Sequence, residues 1–138
     1  MIKITLYCSI AIVFGCLCTR ETTLQTFCRS EVVAIVNTNS VSENKFAYIY
    51  NITMGNVIKT QRDIDGVKIV ATSKEPGLCG IKLEYPAIYV VTGVALDNGY
   101  EIGKTSISVN QCSYIRKWND LSAEQKSFVE NFKQTQCA

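Results

Sequence analysis

The chain has 138 residues, 47% of them hydrophobic, and carries 14 Lys and Arg against 12 Asp and Glu for a net charge of +2. That leaves room for one domain and makes no demand for a polyanionic partner; with no Lys/Arg-rich run to track a phosphate backbone, nucleic acid is not an expected ligand. There is no histidine, which removes the commonest general base, the Ser-His and Cys-His nucleophile pairs and the imidazole ligands of a catalytic zinc, so neither an enzyme nor a cofactor is expected.

Met1-Ile2-Lys3 is a short positive stretch, and Ile4 to Phe14 is an apolar run too short to span a bilayer. Together they predict an export signal over residues 1–15, with Cys16 as the first residue of the mature chain and the protein secreted. Cleavage after Cys18 also satisfies the small-residue rule. Val13-Phe14-Gly15-Cys16 faintly resembles a bacterial lipoprotein signal as well, although Phe in its middle fits poorly. Removal of the signal takes Cys8 with it and leaves Cys16, Cys18, Cys28, Cys79, Cys112 and Cys137. An even count in an exported chain predicts three disulfides, with 15 connectivities open. Zinc is the competing use of clustered cysteines, but only Cys16 and Cys18 are close together and the spacings match no finger pattern. Bridges from the first three cysteines to the last three would each contribute about 4–5 kcal/mol in the chain-entropy model, with a sum short of additive. They would tie a loose N-terminal segment to the body of the domain.

Residues 16–30 are polar and aperiodic, and predict an extended segment leading to a short helical or turn region around Cys28. Glu31 to Val36 is a β-branched strand, and Asn37 to Asn44 a polar turn. From Phe46 the alternation of Phe46, Tyr48, Tyr50 and Ile52 with Ala47, Ile49, Asn51 and Thr53 predicts a strand with one strongly apolar face. Val57-Ile58 and Val67 to Ala71 are the next β-prone stretches. Asp63 and Asp65, the one close pair of carboxylates singled out, fall before Gly66 and are assigned to a turn between them. Pro76-Gly77-Leu78-Cys79-Gly80 is a constrained connector. Ala87 to Val94 predicts a strand and Asp97-Asn98-Gly99 a hairpin turn, after which Ile107 to Asn110 leads into Cys112. Ser122 to Gln125 fits a capping box, after which Leu121, Phe128, Val129 and Phe132 share one helical face, with Trp118 packed nearby. Some five short strands and one terminal helix predict a small, mainly β barrel or sandwich.

Cys16-Leu17-Cys18, with Cys28 ten residues on, resembles the start of the tissue inhibitors of metalloproteinases. Phe27 to Val33 continues the likeness, Leu78-Cys79-Gly80 sits at that family's connector cysteine, and Cys112 to Ile115 with Trp118 to Ser122 and Gln125-Lys126 is similar to the segment entering its final helix. The resemblance covers residues 16–137. It implies a netrin-like domain over residues 16–138, an OB-fold-like five-stranded β-barrel with a C-terminal helix, and disulfides Cys16–Cys79, Cys18–Cys112 and Cys28–Cys137. The chain stops at Ala138, short of the family's second, smaller domain, so a monomeric single-domain form is expected. The segment between the first two strands is short, so contacts that longer-looped relatives make there are expected to be lost.

The resemblance further implies an extracellular inhibitor of a matrix metalloproteinase or related zinc endopeptidase, with no membrane partner. In that mechanism the free amine and carbonyl oxygen of Cys16 chelate the protease's zinc, Leu17 enters its primed-side pocket, and Cys18, Thr19, Pro76, Gly77 and Leu78 complete the contact. Plainer readings stand beside these: Leu17 as a packed residue, Pro76 to Gly80 as only a turn, and Tyr48 and Tyr50 as strand packing. Asn51-Ile52-Thr53 is either a used glycosylation site or a chance sequon. The functional alternative is a non-inhibitory netrin-like adaptor for extracellular matrix or receptors, which would tolerate residues ahead of Cys16.

Overall fold

The computed structural model describes residues 16–137; the expected export signal over residues 1–15 lies outside the described residues. Helix α1 (Thr23–Arg29) starts at a capping box in which Thr22 Oγ1 accepts from Gln25 N and Gln25 Oε1 accepts from Thr22 N. Strands β1 (Val32–Glu43), β2 (Ala47–Thr60), β3 (Ile69–Ser73), β4 (Ala87–Asp97), β5 (Thr105–Ser108) and β6 (Ile115–Lys117) follow. A second capping box, Ser122 with Gln125, opens helix α2 (Ala123–Asn131) as expected. No helix among the described residues is long and apolar enough to cross a membrane.

β1 is the strand that closes the barrel. It pairs antiparallel with β2 along one edge and with β4 along the other, from Val32 opposite Gly93 to Thr38 opposite Ala87. The ring is completed by β2 with β3, β3 with β5 in parallel, and β5 with β4. The result is the five-stranded closed barrel and C-terminal helix that the resemblance implied, and all three disulfides pair as it implied, with Cα separations of 5.3 to 5.7 Å. The three-residue β6 adds to β4 at Tyr89 to Val91, beside the stretch that β5 occupies at Val94 to Asp97. It is too short and too polar to have announced itself in the sequence.

Alternation along β1 divides its apolar residues between two cores. Val32, Ala34 and Val36 point into the barrel with Tyr50, Ile52, Val70, Tyr89, Val91 and Ile107. Val33 faces outward, where α1 and α2 cover it with Phe27, Leu121, Val129 and Phe132, and Phe128 and Trp118 pack at the margin. Phe27 is the centre of this second core, its ring 5.4 to 5.5 Å from those of Tyr114, Phe128 and Phe132. The Lys59 ammonium reaches under α1 and donates to the carbonyls of Phe27 (3.0 Å) and Cys28 (2.7 Å), satisfying two end groups of the helix; burial pushes its pKa below the usual lysine value.

Several local expectations are corrected. Asn37 to Asn44 is not a turn: β1 runs on to Glu43, because the polar outward residues keep ladder partners in β2 while Thr38 turns inward and donates from Oγ1 to the Glu84 carbonyl (2.7 Å). The turn shrinks to the residues after Glu43, where Asn44 Oδ1 accepts from the Phe46 and Ala47 amides. Phe46 lies in that turn and is 62% exposed instead of leading an apolar face, whereas Ala47 and Ile49 are buried beside Ile69, Ala71 and Tyr100. Val57-Ile58 belongs to β2, which stays continuous through irregular register. The β4–β5 connection is a loop from Asn98 to Lys104, closed by Asn98 N donating to Lys104 O, and is longer than the hairpin turn that Asp-Asn-Gly suggests. Asp63 and Asp65 do sit in a turn, Asp63 Oδ1 accepting from the Asp65 amide.

Phe27→Ala should empty the centre of the helix-covered core and lower stability by about 3–5 kcal/mol, read as a fall in denaturant midpoint with the disulfides intact.

Candidate functional site: an N-terminal ridge

The parallel pairing of β3 with β5, Val70 opposite Ile107 and Ala71 opposite Ser108, makes both strands leave the barrel at the same rim. After β3 the chain forms a one-turn 3-10 helix at Pro76–Leu78 and reaches Cys79 in the left-handed region at φ 61°. Gly80 follows with its backbone hard against β3, where an added Cβ would stand 1.7 Å from the Ser73 carbonyl oxygen. Ile81 N then donates to Thr72 Oγ1 (3.0 Å). After β5 the chain turns through Asn110 to Ser113, with Asn110 Oδ1 accepting from Cys112 N (2.8 Å) and Ser113 Oγ from Asn110 N (3.0 Å). Gln111 ties the two segments, its backbone amide donating to the Cys79 carbonyl (2.8 Å) and its side chain to that of Gly80 (3.2 Å). Cys79 and Cys112 thus stand side by side at one rim.

Onto this platform the N-terminal segment is fixed twice, by Cys16–Cys79 and Cys18–Cys112. Leu17 between them has both neighbours bridged and is 92% exposed, and Leu78, next to Cys79, is 66% exposed. Thr19 and Gly77 are exposed as well. Two large apolar side chains in water, each beside a disulfide, contradict the packed-residue reading of Leu17. Residues 16–22 form neither helix nor strand, so their position comes from the bridges and from one charged contact. Arg29 in the last turn of α1 donates from Nε to Glu21 Oε1 (2.6 Å) and from Nη2 to the Cys112 carbonyl (3.1 Å), joining the segment, the helix and the rim turn. Thr26 Oγ1 donates to the same Glu21 oxygen (3.3 Å). Under the segment lies a recess of about 210 Å³ floored by Tyr114, whose phenol pKa is pushed up by burial.

The structure therefore brings Cys16 to Cys79, next to the Pro76 to Leu78 turn, and sets Cys18 and Thr19 beside the Cys112 to Arg116 segment. Asn51 is elsewhere: it pairs with Ile69 at the start of β3, while the connector leaves from Ser73 at the other end. Sequence reasoning missed Glu21, Arg29 and Gln111. Among the described residues, no group of three or more His, Cys, Asp or Glu could hold a metal ion. Arg29→Ala should raise backbone hydrogen exchange across residues 17–22 while lowering global stability by about 1 kcal/mol, as expected for an ion pair whose arginine is half-exposed.

Comparison with known proteins agrees with this geometry. The family model for tissue inhibitor of metalloproteinase matches residues 15–138. The chain is 26% identical over 134 residues to Metalloproteinase inhibitor 4 of Mus musculus, a match that takes in 89% of this chain and 57% of that protein. The chain thus spans a little over half the length of this relative. With the family model covering the platform, the barrel and the terminal helix together, the chain belongs to the tissue inhibitor of metalloproteinase family.

Proposed function

We propose that the protein is a secreted inhibitor of zinc metalloendopeptidases that acts through the free N-terminus of Cys16. The observation that carries this reading is the doubly bridged ridge, with an exposed Leu17 flanked by Cys16 and Cys18 and an exposed Leu78 next to Cys79. Family membership supports it, since the family is one of inhibitors and not of enzymes. The three disulfides fit an oxidising, extracellular setting.

In this reading, export removes residues 1–15 and frees the amine of Cys16. A catalytic zinc held by three protein ligands keeps one position for water. The amine nitrogen and carbonyl oxygen of Cys16 replace that water, closing a five-membered chelate ring on the protease's metal. No cofactor of the inhibitor's own is involved. The bridge to Cys79 holds the amine before binding, so little ordering cost remains to be met on association. Leu17 enters the primed-side pocket and loses its hydration there, worth about 1.5–3 kcal/mol for a fully buried side chain. A deep apolar pocket accepts it and a shallow one rejects it, so Leu17 sets the target range. Cys18, Thr19 and the Pro76-Gly77-Leu78 turn complete the contact.

The test uses protein secreted from a eukaryotic host, its N-terminal residue identified by mass spectrometry, titrated against a panel of matrix metalloproteinases. One extra Ala ahead of Cys16 should abolish inhibition, because an amide nitrogen replaces the amine. Chains that begin at Cys16 yet inhibit nothing on the panel would favour the netrin-like adaptor.

Leu17→Ala should weaken inhibition of deep-pocket proteases by about 10- to 100-fold, the lost burial converted at about 1.4 kcal/mol per tenfold. The chelating amine must be neutral, and an unperturbed α-amine titrates near 7.7–8.0. The apparent inhibition constant should therefore rise about tenfold per pH unit as pH falls below that value. A flat profile from pH 8 to pH 6, after correction for the protease's own titration, would contradict chelation by the amine.

A further inference from the structure

We infer that Asn51 carries an N-linked glycan, placed on the rim of the barrel away from the contact ridge. Asn51-Ile52-Thr53 satisfies the acceptor pattern, and the strand geometry supplies what the pattern lacks. Ile52 is buried in the barrel core, which fixes the register of β2 and turns both Asn51 and Thr53 outward, where both are exposed. On the β1 side the facing residues are polar and exposed too: Asn51 Nδ2 donates to Ser40 Oγ (3.1 Å), and Thr53 Oγ1 accepts from Asn39 Nδ2 (3.0 Å). On the β3 side Asn51 faces Ile69, which is buried with Ala47, Ile49 and Ala71, while the Asn51 side chain itself stays exposed. Beside Asn51 a depression of about 380 Å³, walled by Asp63, Asp65, Lys68 and Lys104, gives the first sugar hydroxyls both acceptors and donors.

The transfer is redox-neutral. The Asn51 side-chain nitrogen attacks the anomeric carbon of a lipid-diphosphate-linked oligosaccharide, forming the C–N bond as the C–O bond to the diphosphate breaks. The lipid diphosphate leaves with the electron pair and the amide proton passes to the transferase's base. Asn51 keeps one N–H, enough to go on donating to Ser40.

The register fixes where the glycan stands. Asn51 pairs with Ile69 and Ala47 with Ser73, so the sugar is attached about 13 Å along β3 from the departure of the connector, at about 3.3 Å per residue. Glycan and ridge occupy opposite ends of that strand.

The inference rests on the export part of the proposed function, and the experiment separates the two. The full chain is expressed in a secreting eukaryotic cell and recovered from medium and cells. Medium protein should shift in mobility on peptide-N-glycosidase digestion, with Asn51 converted to Asp in the peptide mass spectrum. Asn51→Gln and Thr53→Val should abolish the shift, and Thr53→Ser should retain it. Protein in the medium with an unmodified Asn51 peptide overturns the glycan while leaving export intact; a chain found only inside the cell and unmodified overturns export, and the glycan with it. The glycosylated and digested forms should titrate a sensitive metalloproteinase identically, and a change of more than about threefold would overturn the assignment of the sugar to the far rim.

Discussion

Two strands running the same way is the arrangement on which the ridge depends. Because β3 and β5 are parallel neighbours, the segments that follow them emerge together, and each carries a cysteine within a few residues of the rim. Cys16 and Cys18 are separated by a single residue, so they can be bridged at once only if their partners are already adjacent. Gln111 supplies that adjacency with two hydrogen bonds to the connector, and Gly80 lets the connector lie against β3 with no side chain between. An antiparallel pairing would have sent the two segments to opposite ends of the barrel, and the double tether could not have formed.

The second core has a different task. α1 follows the tethered segment directly and is itself held by Cys28–Cys137, by the Phe27 ring cluster and by the Lys59 ammonium at its end carbonyls. Arg29 then transmits the position of the helix to both Glu21 and the Cys112 carbonyl. The segment therefore has a rigid body at each end: the rim behind Cys16 and Cys18, and the helix beyond Thr22. A stretch with no secondary structure of its own acquires a defined course, which is the condition for its exposed side chains to be presented instead of collapsing onto the barrel.

Much of this was legible in the residues. Six cysteines in family order, together with the Trp118 to Lys126 run, indicated the barrel and the bridges, and Ser122 with Gln125 gave the start of α2. The first capping box was equally plain in Thr22-Thr23-Leu24-Gln25, but α1 has too short an apolar pattern to draw attention to it. The misjudged turn at Asn37 to Asn44 has a physical cause: beyond Thr38 the strand is held by its ladder with β2 and needs no apolar residue on its outer face, so polar composition imitates a loop. Phe46 failed for the opposite reason, since alternation was extended one residue beyond the point where Asn44 turns the chain. In the ridge, Leu17 and Leu78 were named because the family resemblance implied a contact there. Arg29 and Gln111 were not, because what they touch is distant in sequence: Arg29 is 83 residues from Cys112, and nothing local marks such a contact.

The bridges also set an order on how the chain can be made. They span 63, 94 and 109 residues, joining Cys16, Cys18 and Cys28 to Cys79, Cys112 and Cys137. Synthesis proceeds from the N-terminus at a few residues per second, so Cys16, Cys18 and Cys28 all emerge while every correct partner is still unmade. In an oxidising compartment their only available partners are one another. Any early bond among them has to be broken and exchanged, a process of seconds to hours that isomerases accelerate. The two ridge bonds wait for Cys79 and Cys112, so the double tether can be completed only after both rim segments have been synthesised, and the yield of native protein depends on disulfide exchange as much as on the stability of the barrel.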